Sequence, residues 1–289
     1  MAGDTQQVLN LEEQALNNLA RANVIPREVL QVVLGLMSRR TPQNNSASNV
    51  QNIDYNFDLS NTNSDLKVLT QKLKKSWKKK HTPFSMLLYG VSGAGKSHYA
   101  KYLAQELGLN FLKKKASDLY GKLVGETEQN IRAAFEEAEQ QQAVLVIDEA
   151  DSMLYDRTKA NQDHQVAHVN EMLVQMENFS YPFICTTNLI DSIDQASFRR
   201  FVFKVKFDYL NKEKVKNCVK YFFKKKVDSD FPEFDLVCAG DFYNIKRKLD
   251  IICDKVTVND IKTALEEELS LKPEYKAKKN KNTIGFAQI

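Results

Sequence analysis

The sequence predicts an α/β protein whose doubly wound parallel sheet is followed by a small, all-helical domain. Between Phe84 and Phe207, short apolar runs alternate with stretches of helical periodicity, a pattern typical of parallel strands joined by crossover helices. After Asp208 the apolar runs largely stop and helical periodicity continues. A length of 289 residues accommodates two unequal domains of this kind.

Five segments are predicted as strands because each is a short apolar run between polar or glycine-containing stretches. They are Ser85 to Tyr89, Asn110 to Lys113, Ala143 to Ile147, Phe183 to Thr186 and Phe201 to Phe207. A doubly wound sheet needs no more strands than these. We therefore assign residues 53–208 to the sheet domain.

The flanking regions read as helical or extended. Residues 209–272 contain three predicted helices, Lys212 to Lys225, Asp241 to Ile252 and Val258 to Leu269, with Asp241 and Asn259 as candidate N-caps. Residues 1–40 form a predicted N-terminal helical segment, and residues 41–52, rich in Asn and Ser, a linker. Residues 273–289 are predicted to be an extended tail.

Composition excludes several classes of protein. The chain has 41 Lys plus Arg against 37 Asp plus Glu, with 43% apolar and 27% charged residues, as is ordinary for a globular protein. No stretch approaches the roughly 18 to 20 apolar residues of a membrane-spanning helix, and the first thirty residues lack the order of a signal peptide. We expect a cytoplasmic protein with no membrane partner.

Local features of composition are less specific. Lysine runs occur at 72–80, 113–115 and 224–226, and they are either solvated faces or phosphate-binding surfaces. The four cysteines, Cys185, Cys218, Cys238 and Cys253, are widely separated and are interpreted as buried thiols.

A glycine-rich loop follows the first predicted strand and fits the pattern GxxxxGK[ST]. Its glycines allow successive backbone N–H groups to surround an anion, and the helix that follows adds its positive N-terminal end. Lys96 would reach the outer phosphates and Ser97 would offer a hydroxyl to Mg²⁺. The predicted nucleotide-binding residues are Gly90, Val91, Ser92, Gly93, Ala94, Gly95, Lys96, Ser97 and His98.

A pair of carboxylates ends the predicted strand Ala143 to Ile147. An unbroken apolar run is typical of a strand buried on both faces, and ligands of open α/β sheets lie at the carboxyl ends of such strands. Asp148 is therefore predicted to hold a metal ion through water, and Glu149 to polarise an attacking water. With the glycine-rich loop, this predicts nucleotide hydrolysis.

From about Ile53 to Asp254, a series of ordered motifs resembles those of AAA+ ATPases of the AAA subgroup. The glycine-rich loop and Val144 to Glu149 resemble the Walker A and Walker B motifs of this P-loop NTPase fold. Cys185 to Asn188 is similar to sensor 1, which implies that Asn188 places the attacking water. The segment from Asp194 to Phe201 resembles the arginine-finger segment, with Arg199 and Arg200 as candidates and Arg200 slightly favoured.

Three further segments resemble parts of the same family. Lys122 to Glu126 is similar to the central-pore loop, although Leu123 stands where the family usually has an aromatic residue. Its side chain is expected either to contact a polypeptide or to pack beneath the loop. Ala239 to Phe242 resembles the start of the sensor 2 helix in the family's lid, without the usual arginine. Ile53 to Asp58 lies where the family contacts adenine.

The resemblance implies an ATPase that uses ATP and Mg²⁺ between the subunits of a ring. The ring is expected to be a hexamer of this chain that remodels a protein partner, as chaperone-like members of the family do. Two alternatives stay open at this point. One is a DNA-associated motor or loader that uses the lysine runs on phosphates, and the other is a nucleotide-switched adaptor with slow hydrolysis.

Overall fold

A computed structural model describes residues 53–155, 163–228 and 230–275. The predicted helical segment 1–40 and linker 41–52 lie outside the described residues, as do residues 276–289 of the predicted tail. The described start of that tail, residues 273–275, is helical and not extended. Within the described ranges, the strands and helices alternate as the sequence predicts.

A single mixed sheet organises the described residues. Its six strands are β1 (Asn61–Thr62), β2 (Ser85–Gly90), β3 (Asn110–Lys115), β4 (Ala143–Asp148), β5 (Phe183–Thr187) and β6 (Phe203–Asp208). The strand order is β1-β6-β2-β5-β4-β3, and every pairing is parallel except that of β1 with β6. All five predicted strands are confirmed. β1 was not predicted, because its two polar residues show no apolar alternation.

Helices cover both faces of this sheet. They are α1 (Leu66–Lys80), α2 (Lys96–Leu107), the short α3 (Ala116–Leu119), α4 (Glu126–Gln140), α5 (Asp163–Asn178) and the short α6 (Gln195–Arg199). Alternate strand residues face opposite sides: Met86 and Leu88 join an apolar cluster with α1 and α2, whereas Leu87 joins one with α4 and α5. The doubly wound α/β fold is confirmed.

Three further helices follow β6. They are α7 (Lys212–Phe223), α8 (Ala239–Ile252) and α9 (Val258–Leu271), and they pack around an apolar cluster of their own. Phe242 and Leu265 lie at its centre, both fully buried. Leu59, from the turn that precedes β1, also packs into this cluster, so the helical part contacts the sheet part through shared apolar surface.

The structure corrects both predicted N-caps. Cys238 precedes α8, and Asp241 lies one turn inside, where its carboxylate accepts a hydrogen bond of 2.8 Å from the Cys238 N–H. Thr257 caps α9, accepting from the Asp260 N–H at 3.2 Å, while Asn259 is a helical residue. Asp241 and Asp260 occupy the third helical positions of the two capping boxes, so in both helices a polar residue inside the first turn was mistaken for the cap itself.

Two other expectations can be compared with the described residues. Cys185, Cys218 and Cys238 are buried and Cys253 is half-buried, all as free thiols. Among the helices that the structure describes, none is long and apolar enough to cross a membrane.

Candidate active site

Most of the predicted site residues meet in one cleft at the carboxyl edge of the sheet. The glycine-rich loop after β2, the end of β4 and the end of β5 form its walls. The cleft measures about 310 Å³ and is lined by Ser92, Gly93, Gly95, Lys96, Ser97, His98, Asp148, Glu149, Thr186, Thr187 and Asn188. The parallel register of β2, β5 and β4 brings these ends together.

The loop after β2 requires glycine where it leaves the sheet. Gly90 has a φ of 112°, and a Cβ there would lie 2.1 Å from the carbonyl oxygen of Phe207 on the neighbouring strand. Gly95, with a φ of 96°, precedes α2 and supplies no side-chain cap to it. The first N–H groups of α2 therefore have no side-chain acceptor from their cap, and the helix dipole places positive potential at the same point.

Lys96 is the buried cation of the cleft, with 7% of its surface exposed. Its Nζ donates to the carbonyl oxygens of Gly90 (2.8 Å) and Val91 (2.7 Å) and to Oδ1 of Asn188 (2.7 Å). Burial lowers the pKa of Lys96 from 10.5 to about 8, although the nearby Asp148 partly opposes this. A buried ammonium whose direct partners are all neutral oxygens fits a phosphate anion.

Asp148 ends β4 and receives three donors. The Ser97 hydroxyl donates to it at 3.2 Å, and the Thr186 hydroxyl and the Lys113 ammonium also contact it. Burial alone would raise the pKa of Asp148, but the hydrogen bonds from Lys113 and the two hydroxyls lower it below its ordinary value. A carboxylate beside a serine hydroxyl offers the hard oxygen ligands that Mg²⁺ prefers, so this pair fits a magnesium ion.

Glu149 directly follows β4 in an unusual backbone conformation. Its φ of 59° and ψ of 42° lie in the left-handed region, which costs a residue other than glycine about 1–2 kcal/mol. The side chain is exposed and lines the cleft. Strain of this kind at the mouth of a cleft suggests that the position of the carboxylate has a function.

Asn188 follows β5 on the opposite side of the cleft and joins it to Lys96 through the hydrogen bond above. The turn that carries it is held by Thr187, whose Oγ1 donates to Asp151 at 3.0 Å and accepts from the Leu189 N–H at 2.9 Å. The structure thus brings Lys96, Ser97, Asp148, Glu149 and Asn188 into one site, as predicted.

The two arginines do not join this cleft within one chain. Both are exposed at the end of α6. Arg200 forms an ion pair with Glu177 on α5, whereas Arg199 has no hydrogen bond or ion pair among the described residues. Arg199 lines a separate, larger cleft of about 720 Å³ together with Asp191 and Phe198.

The loop before α4 presents apolar side chains to solvent. Leu123 is 75% exposed and Val124 is 83% exposed, so Leu123 does not pack beneath the loop. The Glu126 carboxylate accepts from the backbone N–H groups of Lys122 (2.6 Å) and Leu123 (3.0 Å). These two hydrogen bonds hold the loop in its projecting conformation.

The start of α8 contacts the glycine-rich loop, a contact that the sequence analysis did not predict. The Gly240 N–H donates to the Gly93 carbonyl at 2.9 Å, and the Cys238 thiol donates to the Ser92 carbonyl at 3.3 Å. Farther along α8, Lys246 pairs with Asp250. The start of α8 is thus anchored on the loop by backbone and thiol groups.

An aromatic group lies beside the loop, where the segment from Ile53 to Asp58 meets α2. The buried Tyr55 ring packs edge-on against His98, with a centroid distance of 5.4 Å, and stacks on Tyr102 at the same distance. Ile53 N–H donates to Gln105 at 2.7 Å. The predicted adenine-contacting segment therefore adjoins the predicted nucleotide-binding residue His98.

The parallel sheet with a glycine-rich loop and an acidic strand end defines a nucleotide-binding domain of the P-loop class. The model of the family described as "ATPase family associated with various cellular activities (AAA)" matches residues 86–209. This segment runs from β2 to the residue after β6 and is an AAA domain of the AAA+ ATPases. Proteins of this family in general bind ATP with Mg²⁺ and hydrolyse it.

Proposed function

We propose that this protein is a Mg²⁺-dependent ATPase that acts as a ring of identical subunits and remodels a protein partner. One observation carries the proposal: Lys96, Ser97, Asp148, Glu149 and Asn188 line a single cleft, while Arg199 and Arg200 point to solvent elsewhere. A second copy could therefore supply the guanidinium that the cleft lacks.

Each group in the cleft has a role that follows from its chemistry. Lys96 and the N–H groups of the loop would hold the outer phosphates of ATP, and Ser97 and Asp148 would hold Mg²⁺, Asp148 through water. A bound Mg²⁺ neutralises phosphate charge. Glu149 would accept the proton of the attacking water, and Asn188 would orient that water. Positioning and charge stabilisation supply most of the rate in such sites.

The arginine finger would come from a neighbouring subunit. A guanidinium aimed at the transferred phosphate stabilises developing charge, and its supply in trans makes hydrolysis depend on assembly. Because Arg200 is paired with Glu177, we favour Arg199 as the finger. The sequence alone had slightly favoured Arg200. We expect a hexamer.

The exposed tip of the loop at Leu123 and Val124 supports a polypeptide as the substrate. Two adjacent apolar side chains that are more than two-thirds exposed are suited to contact an extended chain. Leu123 offers less area than an aromatic ring, so its grip would be weaker. The backbone hydrogen bonds to Glu126 would keep the tip extended during such contact.

The test combines ATP hydrolysis with the mass of the particle. Wild type should hydrolyse ATP faster in the presence of an unfolded protein and should form a ring with ATP. K96A should lose ATP binding, and E149Q should bind ATP but hydrolyse it about 10²- to 10⁴-fold more slowly. E266Q, at an exposed acid of α9, is the matched control and should match wild type.

Three results would contradict parts of the proposal. Wild-type turnover in E149Q would remove Glu149 from the mechanism. A permanent monomer would remove the finger in trans. A slow rate that unfolded protein leaves unchanged would favour the adaptor function over remodelling.

A further inference from the structure

Lysine is the commonest residue on the solvent side of α1, where Lys67, Lys72, Lys75, Lys78, Lys79 and Lys80 are exposed. The helix reads Leu-Lys-Val-Leu-Thr-Gln-Lys-Leu-Lys-Lys-Ser-Trp-Lys-Lys-Lys and contains no Asp, Glu or Arg. Its lysines are Lys67, Lys72, Lys74, Lys75, Lys78, Lys79 and Lys80. The whole chain has a formal net charge of only +4, so positive charge is strongly concentrated on this helix.

Packing fixes the direction in which these lysines point. Leu66, Leu73 and Trp77 are buried in the cluster that α1 shares with α2, and the Thr70 hydroxyl lies 3.0 Å from the Tyr99 hydroxyl of α2. Their three- and four-residue spacing makes one apolar stripe. The lysines occupy the remaining sides of the helix, and all of them except the half-buried Lys74 are exposed.

The charges on this face are largely unneutralised. Lys74 pairs with Glu106 of α2 at 2.8 Å, but the other six lysines have no carboxylate partner in the ranges that the structure describes. A different lysine run shows the contrast, because Lys113 pairs with Asp148 and Lys114 with Glu137.

Helix stability explains only part of the pattern. Lysines in the last turn interact favourably with the helix dipole, which accounts for residues 78–80. It does not account for Lys67, Lys72 and Lys75, which lie earlier in the helix and are also exposed. Six like charges close together repel one another, so their arrangement suggests an anionic partner.

The chemistry of the face identifies the kind of anion. Protein interfaces are enriched in Tyr, Trp and Arg and depleted in Lys, and membrane-surface helices bury Trp, Phe or Leu in the lipid. On α1, which is described in full, Val68 is the only exposed large apolar side chain, and Trp77 is buried. Single strands are bound largely by stacking on aromatic rings, which this face lacks. Lysines acting as point charges suit the phosphates of a duplex.

We propose that the lysine face of α1 is a docking surface for the phosphate backbone of a nucleic acid duplex. A helix of 15 residues is about 22 Å long, enough to reach several phosphates. Recognition would be largely independent of sequence, because lysine contacts to phosphates carry no sequence information. Binding of the duplex to this face would not depend on the ATPase activity proposed above.

Titration of the 289-residue chain with fluorescent DNA duplexes of two unrelated sequences tests the proposal. We expect equal affinities that fall with salt, with a slope of log affinity against log salt of roughly −4 to −5, since each phosphate contact contributes about −0.9. The triple variant K67Q/K72Q/K75Q should reduce the magnitude of this slope by about 3. K96A should bind duplex as wild type does, which separates docking from nucleotide binding.

The matched control is K225Q/K226Q/K255Q, which removes the same charge outside α1 and should keep the wild-type slope. Thermal unfolding of both triple variants checks that each is folded. The proposal would be overturned if the slope fell equally in the two triple variants, or if it were unchanged in the α1 variant. So would α1-dependent binding to phosphatidylserine vesicles without any binding to duplex.

Discussion

Lys113, on the edge strand β3, forms an ion pair with Asp148 at the end of β4. The strands pair in register as Lys113 with Val146 and Lys115 with Asp148, so the Lys113 side chain reaches along β4 to the carboxylate. A cation thus lies against the residue proposed to hold Mg²⁺. Like charges oppose each other, and Lys113 should therefore weaken the binding of the metal.

Replacing this lysine should tighten Mg²⁺ binding. In K113M we expect the Mg²⁺ concentration that half-saturates binding of a fluorescent ATP analogue to fall about fivefold, equivalent to about 1 kcal/mol. K114M is the matched control, since Lys114 is the next residue and pairs with Glu137 instead. If the half-saturating Mg²⁺ concentration falls in both variants, or in neither, the result would argue against a charge effect of Lys113.

The lowered pKa of Lys96 predicts a pH dependence of ATP binding. Phosphate favours the charged ammonium, so binding should take up a proton above the pKa of about 8 in the free protein. ATP affinity should be constant below about pH 7 and should fall by up to tenfold per pH unit above pH 8. Calorimetry at pH 8.5 in two buffers of different ionisation enthalpy measures the proton directly.

The same pKa shift affects folding with a definite sign. Because the folded pKa lies below the ordinary 10.5, the unfolded chain binds more protons between these values, and the contribution of Lys96 to stability increases from pH 8 to pH 10.5. The control for the pH dependence of ATP binding is K96R, because arginine stays charged. The ATP affinity of K96R should not change with pH in this range. An ATP affinity that still falls above pH 8 in K96R would mean that the titrating group is not Lys96.

Gly240 should be needed for the contact between α8 and the glycine-rich loop. A Cβ there would lie 2.9 Å from the Gly93 carbonyl oxygen, so G240A must move the helix off the loop. Loss of one hydrogen bond, worth about 0.5–1.5 kcal/mol, should weaken ATP binding about two- to tenfold. N244A, on the exposed side of α8, should bind ATP normally. Tighter binding in G240A would contradict this account.

Mixing variants can show whether Arg199 or Arg200 acts as the arginine finger. R199A should lose hydrolysis, by about 10³-fold or more, and regain part of it when mixed with K96A, whose subunits still supply the arginine. If Arg200 acts by holding α5, E177Q should reproduce the effect of R200A. Rescue of R200A by mixing, with a normal E177Q, would instead identify Arg200 as the finger.

The sequence predicted the strands and the cleft because both depend on local patterns. Runs such as Val144 to Ile147 are apolar throughout when a strand is buried on both faces, and the loop from Gly90 to Ser97 has a spacing that its phosphate geometry demands. In the strand, burial on both faces requires apolar residues, and in the loop, phosphate binding requires glycines at fixed positions.

What the sequence did not predict depends on contacts between distant segments. Lys113 pairs with Asp148 because β3 and β4 are neighbours in the sheet. In the sequence, Lys113 is recognisable only as part of a basic run. The left-handed backbone of Glu149 has no local signal, since glutamate rarely adopts it. The contact of Gly240 with Gly93 joins segments about 150 residues apart, beyond any periodicity.

A crystal structure of E149Q grown with ATP and Mg²⁺ would test the proposed nucleotide site most directly. We expect phosphate oxygens within hydrogen-bond distance of Lys96 Nζ, Mg²⁺ bound to Ser97 Oγ, and the guanidinium of a second copy beside the outer phosphate. Nucleotide bound elsewhere, or a cleft without phosphates in which these side chains keep their present partners, would contradict it.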